Sequence, residues 1–173
     1  QPRYNIMLKD DKTYPWICIK KERFPRIFMT RRVIKDGSEY YGPYTNVRTV
    51  KVLLDLIREL YPLRTCKYDL SREKISEKKY KVCLEYHLGN CSGPCEDFQN
   101  EDSYNDTIKA IRNIVKGNFK ESLNKFHEIM KAFADKMEFE EAQKIKDKLD
   151  LLVNYQSKST VVSPSIDNVD VFS

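Results

Sequence analysis

Four cysteines carry the most distinctive chemistry in this 173-residue chain. Cys66, Cys83, Cys91 and Cys95 follow the spacing C-x16-C-x7-C-x3-C, and three of them fall inside one stretch, KVCLEYHLGNCSGPC (81–95). Only Cys18 stands apart. Gly89, Gly93 and Pro94 punctuate the short intervals. Glycine admits positive φ and close backbone approach, so a tight loop can turn several thiolates toward one point. Such a point suits a metal or an iron–sulfur centre. Thiolate spacing does not choose between iron–sulfur and tetrahedral zinc, and His87 leaves a Cys3His zinc site open. The competing reading is a set of unrelated buried thiols, because free cysteine packs as a small hydrophobe.

A second chemistry lies in the charge. The net charge is +5, but residues 1–35 hold ten Lys/Arg against three acids, while residues 101–173 hold eleven against thirteen. A basic head suits a polyanion. Lys20, Lys21, Arg23, Arg26, Arg31 and Arg32 are the candidate phosphate contacts, with tyrosines nearby to stack. The competing reading is a structural sheet whose charges guard its edge strands.

The elements that must position these residues follow from periodicity. TYPWICIK (13–20) alternates and is rich in aromatic and β-branched residues, which predicts a strand. PRIFMT (25–30) is its partner after a charged turn at Lys21–Arg23, Lys35-Asp36-Gly37 is a turn, and Glu39–Tyr41 is a third short strand. Asn46 caps a helix to Tyr61, with Val50, Leu53, Leu54, Ile57, Leu60 and Tyr61 on one face and Pro62 as its stop. Residues 67–81 show little periodicity and read as a solvent-exposed, mobile loop closed at its base by the cysteines. Tyr104, Ile108, Ile111, Ile114 and Val115 form the stripe of a helix that starts at Glu101 and ends at Gly117. Phe119, Leu123, Phe126, Met130, Phe133 and Met137 predict a helix over 118–136. Phe139, Ala142, Ile145, Leu149 and Leu152 predict another that starts near Glu138. The short turn between them makes an antiparallel hairpin over 118–153. Its apolar face exceeds what two helices can cover, so the surplus packs on the helix over 103–116 or on a partner.

The fold class is therefore α+β: a small antiparallel sheet plus a helix, a cysteine-rich loop, then a helical segment with a hairpin. The divisions are 1–15, 16–62 (sheet and helix, basic), 63–100 (cysteine loop), 101–155 (helical) and 156–173, whose Ser-rich start reads as a linker. Hydrophobic residues are 40% and charged residues 33%, without the roughly 20-residue apolar run of a membrane span. The polar start QPRYNIMLKDD is no secretory signal, and the odd cysteine count argues against a disulfide framework, so the cytoplasm is expected. The absence of an initiating Met reads as an excised fragment.

The order of these pieces resembles the UvrC family, the nuclease subunit of the bacterial UvrABC excinuclease of nucleotide excision repair. The matching stretches are PRYNIMLKDDKTYPWI (2–17), YYGPYTN (40–46), LYPLRTC (60–66), KVCLEYHLGNCSGPC (81–95), MEFEEAQKIKDKL (137–149) and NVDVFS (168–173). The resemblance implies a central, non-catalytic part. Residues 1–15 match the end of the GIY-YIG nuclease domain that makes the 3′ incision, and only Asn5 matches a position at the edge of its active site. The ribonuclease H-type domain that makes the 5′ incision would follow residue 173, so the fragment is expected to be inactive alone. The resemblance also implies a 4Fe-4S cluster on Cys66, Cys83, Cys91 and Cys95, with zinc as the alternative. The hairpin resembles the UVR motif, which pairs with a similar hairpin at the end of UvrB, the subunit that carries damaged double-stranded DNA. Phe139, Glu140, Ala142, Ile145 and Leu149 match that contact, with Phe139 as its anchor. Two rivals are a UVR-containing zinc-binding adaptor and a self-contained nucleic-acid-binding module. The adaptor needs paired CxxC motifs, and this chain has none.

Overall fold

Three strands form one antiparallel sheet: β1 (Trp16–Ile19), β2 (Ile27–Thr30) and β3 (Glu39–Tyr41), in the order β2-β1-β3. The computed structural model describes residues 14–159. Asn5, most of the 1–15 segment and the tail beyond 159 lie outside them. β1 is central, with Trp16 opposite Thr30, and Ile19 opposite both Ile27 and Glu39. Its centre, Ile17-Cys18-Ile19, is buried throughout, so the expected alternation does not hold across it: both faces of β1 are covered, and the strand core is an unbroken apolar run.

Because β2 and β3 both run antiparallel to β1, they run parallel to each other. Their connection, residues 31–38, therefore crosses the sheet from one end to the other, and the Lys35-Asp36-Gly37 turn belongs to this crossover rather than to a hairpin. Gly42 follows β3 at φ 139°, where a Cβ would stand 3.2 Å from the Trp16 ring, so the YYGPY stretch needs glycine there.

Helix α1 (Val47–Leu60) begins where the Asn46 side chain accepts from the Arg48 N–H at 2.8 Å, and it packs on β2. Its predicted stripe is buried from Val50 to Leu60, with Leu56 added, while Tyr61 is the half-buried residue that caps its end. Residues 67–81 differ from expectation. They contain a short helix, α2 (Arg72–Ser76); Leu70 and Ile75 enter the core, and Tyr68 stacks on Tyr80 at 4.4 Å. Five residues are too few to show a period, so the sequence pattern carries no signal there. A second short helix, α3 (Leu84–His87), and a 3-10 turn at Pro94–Glu96 carry the cysteine stretch. Helix α4 (Glu101–Val115) is capped by Asn100, whose side chain accepts from the Asp102 N–H.

Helices α5 (Lys120–Asp135) and α6 (Phe139–Ser159) form the expected antiparallel hairpin. α6 runs past 153, so residues 156–159 continue the helix rather than open the linker. One hydrophobic cluster joins Ile17 and Ile19 of the sheet, Leu70 and Cys95 of the cysteine segment, Ile108 and Ile111 of α4, and Phe119, Phe126, Leu149 and Leu152 of the hairpin. The hairpin thus stands on both α1 and α4: Tyr61 stacks on Phe126 at 5.8 Å, and the Lys148 Nζ donates to the Leu60 carbonyl at 3.0 Å.

Candidate functional site

The cysteine segment is fixed to the sheet by charge. Arg64, two residues before Cys66, is 3% exposed, and its guanidinium donates to Glu22 at 2.7 Å. Glu22 also accepts two bonds from Arg26, at 2.6 and 2.9 Å. Burial alone would raise the Glu22 carboxyl, but the Arg26 hydrogen bond and the charges of Arg26 and Arg64 outweigh it and hold it below 4.5. Farther along, Glu96 accepts from the Val82 N–H at 3.2 Å and pairs with Lys81 at 3.4 Å, closing the base of the loop.

Within this frame Cys83 caps the start of α3 and is exposed, Cys66 is half-buried, and Cys91 and Cys95 are buried. Gly93 stands between the last two at φ 70°, where a Cβ would lie 2.9 Å from the Tyr86 ring and 3.0 Å from Phe98. No other residue type turns the chain there without moving an aromatic ring. Burial raises the Cys91 and Cys95 thiols, and the charges of Cys66 and Cys83 push both the same way. Among the described residues, no three His, Cys, Asp or Glu side chains stand in metal-holding geometry, and His87 lies exposed beside the Tyr86 ring, 5.6 Å between centroids. The donor set, four cysteines within residues 66–95 with a glycine turn between the last two, fits a thiolate-bound centre by its chemistry alone.

The six candidate DNA contacts separate into two groups. Arg23 donates to Glu101 at 2.8 Å, Arg26 is held by Glu22, and Lys20 pairs with Asp36. Lys21, Arg31 and Arg32 make no ion pair among the described residues. Phe24 lies at the centre of the β1–β2 turn. It is packed edge-on against Tyr104 at 5.3 Å, and the Tyr104 hydroxyl donates to the Pro25 carbonyl at 2.9 Å. This turn is an internal hub, although its composition reads as a solvated basic loop.

The hairpin also divides. Ala142 and Leu149 are buried and Ile145 is half-buried, all on the side turned toward the protein, whereas Phe139 and Glu140 are exposed. Phe139 is 67% exposed and Met137, at the hairpin tip, 78%. Met137 also adopts φ 61°, a left-handed conformation that costs a non-glycine residue about 1 kcal/mol or more. Sequence reasoning places Met137 only at the end of the α5 stripe; its strained, exposed position emerges from the turn geometry.

A family model described as UvrC/Cho excinuclease, middle domain, matches residues 14–114, more than half of the chain. The chain belongs to this family. It is 70% identical over all its 173 residues to the UvrABC system protein C of Christiangramia forsetii, covering 29% of that protein. The corresponding protein of Flavobacterium johnsoniae is 63% identical over the same span and the same share. That of Bacteroides fragilis is 53% identical, with 28% of its length covered. The chain thus spans under a third of the curated relatives it matches. No solved structure matches it. Among the described residues no helix is long and apolar enough to cross a membrane.

Proposed function

We propose that this chain is the connecting and recruiting part of a nucleotide excision repair nuclease subunit. It binds the UvrB tail through the tip of the α5–α6 hairpin, carries a 4Fe-4S cluster on Cys66, Cys83, Cys91 and Cys95, and contacts damaged duplex DNA through its basic sheet region. Cutting belongs to nuclease domains outside it.

The observation that carries the reading is the uneven hairpin. Phe119, Phe126, Leu149 and Leu152 sink into the core, while Met137 and Phe139 stay exposed at the far end. A bare aromatic beside a strained turn, on a helix pair anchored at its other end, is the form of a docking tip. Phe139, Met137 and Glu140 make the contact; Ala142, Ile145 and Leu149 hold the helix that presents them. Titration against a peptide of the UvrB tail tests this. Phe139→Ala should weaken binding by about 2 kcal/mol, and unchanged affinity would refute the docking tip.

Thiol chemistry supports the cluster: four cysteines lie within residues 66–95, and Gly93 turns the chain between Cys91 and Cys95. Iron and sulfide analysis of anaerobically purified protein should find a cluster, lost when Cys91 or Cys95 is replaced by Ser. Zinc without sulfide would assign the four thiolates to a structural zinc site instead.

A further inference from the structure

The crossover between β2 and β3 lies over the outer face of the sheet. Cys18 is buried yet stands outside the main core cluster. Its strand neighbour Tyr40 uses its hydroxyl to accept from the Ile34 N–H at 3.2 Å, so the crossover itself covers this face. The segment is pinned along its length. Thr30 Oγ1 accepts from the Arg32 N–H at 3.1 Å, the Asp36 N–H donates to the Ile34 carbonyl at 2.9 Å, and Asp36 pairs with Lys20. The Lys21 N–H donates to Ser38 Oγ at 3.0 Å, and the Lys21 side chain lies over Gly37.

On its outer side this strap shows Arg31, Arg32 and Lys35, joined by Lys21, with no ion pair to any of them among the described residues. Between the cations stand Val33 and Ile34, 53% and 57% exposed. Edge protection accounts for the charges but not for two exposed aliphatics, and exposed turn positions ordinarily take polar residues. Core packing does not account for them either, since neither belongs to the core cluster.

We propose that this strap reads double-stranded DNA: Lys21, Arg31, Arg32 and Lys35 hold phosphates on either side of a groove, and the Val33–Ile34 pair presses against a base step as an apolar wedge. The inference rests on the chain's being part of a DNA repair subunit, and it adds the wedge and Lys35 to the cations read from the sequence. An aliphatic pair set among cations is the arrangement by which minor-groove proteins exploit steps that unstack easily, so the preferred target is a duplex already weakened at one step. The strap is ordered beforehand, so little conformational freedom is lost on binding. Two short side chains are too small to anchor a protein in a bilayer, which favours DNA over an anionic membrane.

The test uses the 173-residue chain, its Val33→Ser/Ile34→Ser variant and its Arg31→Ala/Arg32→Ala/Lys35→Ala variant. The probes are an intact duplex, the same duplex with one mismatched step, and phosphatidylserine vesicles, each over a range of salt. Circular dichroism and UvrB-tail affinity check that both variants fold. The wedge variant should bind the mismatched duplex about tenfold more weakly, with an unchanged salt slope. The cation variant should lower that slope by about one for each phosphate it no longer neutralises. If the parent binds DNA and the wedge variant matches it on both duplexes, the strap is not a wedge, although DNA binding stands. Tighter binding to vesicles than to DNA would overturn the proposal in favour of a membrane. A parent that binds the UvrB tail but no DNA would overturn it together with the DNA half of the proposed function.

Discussion

Two basic segments flank β2, and they meet opposite fates. KKERFPR (20–26) and RRVIKDG (31–37) look alike in composition. In the first, Glu22 joins Arg26 to Arg64, Glu101 holds Arg23, and Phe24 lies under Tyr104. Glu22, Arg23 and Arg26 are thus internal struts that fix the cysteine segment and α4 to the sheet, while Lys20 and Lys21 of the same run serve the crossover. In the second, Lys20 neutralises Asp36 and the other cations face outward. Local charge density therefore does not mark a binding surface. The location of the partners decides which charges are tied down, and two of them, Arg64 and Glu101, lie 42 and 78 residues away from Glu22 and Arg23.

This contrast can be tested by substitution. Its widest form is on the hairpin, where the same division holds between buried and bare aromatics. Phe126→Ala should cost about 3–5 kcal/mol of unfolding free energy, and Phe139→Ala under about 0.5. Equal losses in a denaturant titration would erase the distinction between the embedded and the bare end. Next comes the first basic segment. Glu22→Ala should cost about 3 kcal/mol, because it leaves the buried Arg64 guanidinium without its carboxylate.

Acid should act on the same group. The Glu22 carboxyl is held below 4.5 in the folded protein, so its contribution is present above that pH and disappears as pH falls through the depressed folded value. Thermal melts of parent and Glu22→Gln should therefore converge as pH drops below about 4.5. A gap that widens with acid would contradict the sign.

A smaller effect is expected where Arg112 of α4 grips Glu39 of β3 through bonds of 2.7 and 2.9 Å. This pair is partly solvated, so Arg112→Ala should cost about 1 kcal/mol. The smallest effect belongs to the second basic segment. Arg31→Ala/Arg32→Ala should change stability by under about 0.5 kcal/mol. A larger loss would mean that these arginines also serve as struts.

Periodicity made much of this fold legible. The stripes of α1, α4 and α5 and the three strands appear where the spacing of apolar residues puts them, because burial of one face is a local pattern with a fixed period. The cysteine spacing is a local feature of the sequence, whereas the burial of Cys91 and Cys95 and the exposure of Cys83 come from the fold. Short segments were less legible. Arg72–Ser76 is helical because Leu70 and Ile75 find the core, a reward that no window of the sequence contains. The crossover resembles a hairpin turn in sequence because Lys35-Asp36-Gly37 specifies a bend but not which strand receives the chain.

The sequence by itself determined the family, the α+β class, the helical hairpin and the candidate thiol ligands, all properties of local spacing and of motif order. Tertiary structure alone decided which end of the hairpin stays bare and which arginines are struts. It also decided that Val33 and Ile34 face solvent among cations that make no ion pair with the described residues. Each of those outcomes depends on which parts of the chain meet in space, and burial and ion pairing are settled by that distance rather than by sequence spacing.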